Sequence, residues 1–131
     1  MIYRGVNMSV DYRALITIGF KVSTEEVAAV VERKNAAGED GDGWYENLVD
    51  NDRLIQLDCY RDPEFYLYAV PEKTHTVEEG ECVSVGDVWS RLNYHEYQDF
   101  IQEFKSTFCP DGDYEFMMNH QLDVLMGLRV S

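Results

Sequence analysis

Basic residues are the first shortage in this sequence: 11 Lys and Arg stand against 25 Asp and Glu, a formal net charge of −14. Affinity for nucleic acid comes chiefly from Lys and Arg displacing counterions from phosphate, and a field of this sign repels a polyanion. Direct DNA or RNA binding is not expected. Cysteine is equally thin, with only Cys59, Cys82 and Cys109. A disulfide framework would leave one thiol over, so a reducing cytoplasm is the expected compartment. No stretch approaches the roughly eighteen apolar residues that a membrane helix needs. The opening MIYRGVNMSV has neither the apolar core nor the cleavage site of a signal peptide. No membrane association is expected. Met8 offers a second start, and residues 1–11 read as a flexible extension.

What the chain does have is core material. Of its 131 residues, 45% are apolar and 13% aromatic, enough to fill one interior, and one domain spanning 1–131 is the expectation. From Tyr12 to Val22 the even positions are Tyr, Ala, Ile, Ile, Phe and Val, the two-residue period of a half-buried strand. Ser23 then stands three residues before Glu26, a capping box, with Val22 and Val27 at the flanking staple positions. A helix is expected from there to Gly38. Residues 38–52, GEDGDGWYENLVDND, hold six acids and no base among three glycines. They read as an exposed acidic loop with at most a helical turn near Tyr45–Val49.

Two strands follow, Arg53 to Tyr60 and Phe65 to Val70, joined by the turn RDPE. THTV and CVSV around EEGE suggest a small second hairpin. Tyr94, Tyr97, Phe100, Ile101, Phe104 and Phe108 recur at helical spacing, with Asp87 or Asn93 as cap and Pro110 beyond the end. Tyr114 to Val130 returns to the two-residue period, with a bend near Asn119 to Gln121. The order strand, helix, strand, strand, helix, strand is that of a ferredoxin-like split βαβ, an antiparallel α+β sheet with two helices on one face.

Strand parity then suggests what the open sheet face carries. With Ile55, Leu57 and Cys59 turned toward the helices, Gln56, Asp58 and Tyr60 face outward. Tyr66, Tyr68 and Val70, with Arg13, Lys21, Glu115 and Asn119, complete a tyrosine-bearing platform. RNA-recognition domains stack bases on such a face, but FYLYAV lacks their glycine and basic residues. Tyrosines in this position serve protein contact or simply strand propensity.

Catalytic and metal motifs do not emerge. A calcium loop starting at Asp40 would need glycine sixth and glutamate twelfth, where Tyr45 and Asn51 stand. No Cys and His pair has zinc spacing. Cys109 beside a helix C-terminus and His120 on an apolar face read as structural rather than as nucleophile and base. No cofactor and no metal are expected, and enzyme chemistry is the less favoured of two readings.

The preferred reading is an interaction module that presents Glu39, Asp40, Asp42, Glu46 and Asp50, with Tyr60, Tyr66 and Tyr68, to a basic protein partner. A homodimer is compatible with it. In composition the chain resembles small acidic inhibitors encoded by phages and mobile elements, which act on nucleic-acid-binding proteins. The alternative is a small-molecule site or modest enzyme using carboxylates such as Asp58 or Glu115 between sheet and acidic loop.

Overall fold

The alternation from Tyr12 builds the longest strand, β1 (Tyr12–Ser23), around which the sheet is organised. The computed structural model describes residues 12–58, 61–84 and 95–130, so the expected extension at 1–11 and the caps Asp87 and Asn93 lie outside the described residues. The other strands are β2 (Leu54–Ile55), β3 (Phe65–Ala69), β4 (His75–Val77) and β5 (Asp123–Val130). All pair antiparallel. Gly19 partners both Ala69 of β3 and Asp123 of β5, which places those strands on opposite edges of β1. Ala14 partners both Val77 of β4 and Leu128 of β5, so β4 shares the β3 edge, offset by the 3-10 turn Pro71–Lys73.

Four helices accompany this sheet among the described residues: α1 (Thr24–Ala36), α2 (Gly41–Asp50), α3 (Gln98–Phe108) and α4 (Tyr114–Asn119). The capping box at α1 is complete, since Ser23 Oγ accepts from the Glu26 N–H and Glu26 Oε1 from the Ser23 N–H. Val22 and Val27 are both buried beside it, and Gly38 (φ 83°) follows the helix end. The even face of β1 meets the helices: Ile18, Phe20 and Val22 pack with Val27, Val30, Leu48, Phe104 and Phe108. Phe20 and Phe104 stack with centroids 3.8 Å apart.

Several expectations are corrected here. The acidic segment is not a loop. Asp40 caps α2, its Oδ1 accepting from the Gly43 N–H at 2.9 Å, and Trp44, Tyr45, Leu48 and Val49 form an apolar stripe against the core. Gly41 permits this helix to cross α1 closely, because a Cβ there would stand 2.4 Å from the Val31 carbonyl oxygen. Nor is Tyr114 to Val130 one bent strand, since α4 precedes β5, with Asp113 capping through the Glu115 N–H. No second hairpin forms among the described residues, because THTV supplies β4, which pairs with β1.

The expected parity also reverses on two strands. Leu54 takes the helix-side place, while Ile55 joins Leu15, Leu67 and Ala69 in a second core on the odd face, with Leu57, Phe65 and Leu125 packed against it. The chain after β2 turns across that face. Leu57 lies over Gly127, where a Cβ would come within 2.7 Å of Leu57 Cδ1, and Asp58 bridges to Val130. The tyrosine platform therefore does not exist as expected: Tyr66 and Tyr68 are 6% and 1% exposed and face the helices. Cys59 and Tyr60 lie outside the described residues.

Candidate functional site

The helical form of the acidic segment creates a groove. On α1 the face at Thr24, Val27, Ala28, Val31 and Glu32 follows the i, i+3, i+4, i+7, i+8 spacing of one helical stripe. With Asp42 and Tyr45 of α2 and Tyr66 of β3 it encloses about 330 Å³. Val27, Ala28 and Val31 give apolar walls, while Glu32 and Asp42 set one exposed carboxylate on each helix. None of the lining residues is basic.

Two tyrosines close the inner end. Tyr45 Oη and Tyr66 Oη are 2.8 Å apart, with the rings edge to face at 6.0 Å. Burial, with the Tyr45 hydrogen bond adding to it, holds the Tyr66 phenol above its usual range, so Tyr66 offers a hydroxyl rather than charge. Apolar walls, hydroxyls and two carboxylates are the groups that receive the stem and head of a Lys or Arg side chain. A polyanion has no donor of charge to meet here.

The acids of α2 form a ridge that starts at the groove. Asp42, Glu46 and Asp50 follow a four-residue spacing and are all exposed, with no base in the helix. Like charges at that spacing disfavour a helix by about 0.2–0.5 kcal/mol per pair. Glu39 lies 3.8 Å from Lys34, and Asp40 is engaged as the α2 cap. Thus Asp42 and Tyr66 meet in one groove, Glu46 and Asp50 line up next to it, Glu39 and Asp40 serve local structure, and Tyr68 is in the core. Tyr68 donates to Glu103 Oε1 at 3.0 Å, and Glu103 also pairs with Arg53 at 3.1 Å.

Sequence reasoning missed Glu32 and Tyr45. The stripe 24, 27, 28, 31, 32 was visible in α1, but its partner face existed only once 41–50 is helical.

A second concavity, about 490 Å³, has a different lining: Lys105, His120, Gln98 and Gln121 around Phe20, Ile101, Met117 and Leu122. His120 is not poised toward Cys109. Its Nδ1–H donates to Phe116 O at 2.7 Å and its Nε2 lies 2.8 Å from Glu26 Oε2, while Cys109 Sγ is 3.6 Å from Asp113 O. Asp58 sits on the segment after β2, 3.6 Å from Arg61, and Glu115 is exposed on α4. They do not share a site.

Among the described residues no group of three His, Cys, Asp or Glu could hold a metal ion. No described helix is long and apolar enough to cross a membrane. Compared with known proteins, the chain matches no family model, no curated protein and no solved structure.

Proposed function

We propose that this chain is a protein-interaction module whose α1–α2 groove receives a Lys or Arg side chain of a basic partner, with the Asp42–Glu46–Asp50 ridge steering the approach. The observation that carries this reading is the pairing of Glu32 and Asp42 across apolar walls with no base in the lining. A net charge of −14 raises the encounter rate with a cationic surface. A nucleic-acid-binding protein whose phosphate site is covered by such a ridge is one class of partner, the mode of small acidic inhibitors.

The same reading takes the core as a ferredoxin-like split βαβ, with α2, α4 and β4 as additions. The order β2, β3, β1, β5 supports it. A reducing cytoplasm belongs to the same reading, on the odd count of three cysteines. The small-molecule alternative built on Asp58 or Glu115 is weaker, because those carboxylates sit on separate elements.

Titration of labelled protein with a short arginine-bearing peptide tests the groove. Amide shifts should concentrate at Val31, Glu32, Asp42 and Tyr45. Shifts spread evenly over the surface carboxylates would refute a defined site.

A further inference from the structure

Strand β5 lies on the edge of β1 away from β3. Among the described residues its outer edge is engaged at Val130, whose N–H donates to Leu57 O at 2.6 Å. That bond sets the parity of the edge. If Val130 N–H points away from β1, alternate residues of the ladder do the same, so the N–H and C=O groups of Val124, Met126 and Leu128 also point outward. The Val124 N–H agrees: it is capped by its neighbour's side chain, Asp123 Oδ1, at 2.8 Å. The side chains here are apolar for so open a surface. Met126 is 72% exposed, Leu128 55%, and Tyr12, which partners Val130, 63%.

An open edge with apolar side chains is a template for another strand. We propose that β5 pairs antiparallel with β5 of a second copy of this chain, centred on Met126. A second copy fits because this strand is complementary to itself. With Met126 on the two-fold axis, Val124 faces Leu128 of the other copy in the hydrogen-bonded pairing that the parity requires. Asp123 then faces Arg129 of the other copy, once on each side of the axis. Shifting the register by two residues would set Asp123 opposite Gly127 or Ser131 and lose both ion pairs. A shift of one would set outward groups against inward ones.

Both charges have capacity for this contact. Arg129 is 3.8 Å from Asp52 in an exposed pair, which contributes little, and a guanidinium has donors left for a second carboxylate. Asp123 has its second oxygen. Pairing would exchange the local cap on Val124 N–H for the Leu128 carbonyl of the other copy and would cover Met126 and Leu128.

Sedimentation of the full chain over a range of concentrations tests this. A concentration-dependent monomer–dimer equilibrium is expected, and Met126→Lys, which sets two ammonium groups at the axis, should abolish it while the circular dichroism stays unchanged. Asp123→Arg and Arg129→Asp should each weaken association about tenfold or more, and the two together should restore it, since the pair is exchanged and not lost. A monomer at every concentration up to about 1 mM, a dimer indifferent to Met126→Lys, or a double change that recovers nothing would each overturn the proposal.

Discussion

Glu26 joins the start of α1 to the end of α4: one carboxylate oxygen accepts the Ser23 N–H at 2.8 Å, and the other lies 2.8 Å from Nε2 of His120. His120 is in turn stacked on Phe116 with centroids 4.0 Å apart. A local capping residue thereby also anchors a distant helix.

Loss of Ser23 and loss of Glu26 should therefore differ. Ser23→Ala removes one side of the cap and should cost about 0.5–2 kcal/mol. Glu26→Ala also strips His120 of a partner in a largely buried position, adding about 1–3 kcal/mol. Urea unfolding of both variants checks this, and equal midpoints would mean that the His120 contact contributes nothing.

Leu57, which packs against the second core, lies over Gly127. Gly127→Ala should press on Leu57 Cδ1, the far end of a flexible side chain, and should cost about 1 kcal/mol, the low end for overpacking. Leu57→Ala alone should also destabilise, but by less than the roughly 2–5 kcal/mol of a fully buried large-to-small change, since Leu57 is partly buried. Combined, the two should cost less than their sum, because the smaller side chain makes room for the new methyl. Strict additivity in thermal melts would show that Leu57 does not lie over Gly127.

The first strand, α1 and α3 were legible because their signals are local: alternation from Tyr12, the Ser23 to Glu26 box, and the spacing of Phe100, Phe104 and Phe108. The face chosen by β3 was not. Phe65 to Ala69 is apolar on both sides, and among the described residues the passage of Leu57 across the odd face, a long-range event, helps give the second side something to bury against. α2 was hidden for a similar reason. Gly41 and Gly43 read as loop residues, yet Gly41 is there because α1 passes close by, and Asp40 is a cap. The groove inherits that failure, since Asp42 and Tyr45, which complete it, belong to α2.

Alkaline pH should expose the buried tyrosines. Burial, reinforced by Tyr45 at Tyr66 and by Glu103 at Tyr68, raises both phenols, so the folded state holds these protons more tightly than the unfolded chain. The resulting stability is intact below the unfolded tyrosine value of about 10 and is lost progressively as pH rises above it. Absorbance titration should find Tyr66 and Tyr68 silent until the chain unfolds. Ionisation of all nine tyrosines in a still-folded protein would contradict their placement.

The ridge on α2 should be costly to the helix that carries it. Glu46 stands four residues from both Asp42 and Asp50, and Glu46→Lys turns two repulsions into two attractions, each worth about 0.2–0.5 kcal/mol. The melting temperature should rise. A fall would mean that Glu46 meets something other than solvent.

The central claim is that the groove, and not bulk charge, recognises a basic partner. The most direct measurement is the affinity of a captured partner for the wild type, for Glu32→Gln with Asp42→Asn, and for Glu72→Gln with Glu79→Gln, an exposed pair of acids giving the same change in net charge. The groove variant should bind about tenfold or more weakly, roughly 1.4 kcal/mol, at about 0.15 M salt, where exposed charges are screened beyond roughly 8 Å. The charge-matched variant should bind as the wild type does. Equal losses in both variants, or none in either, would contradict the account.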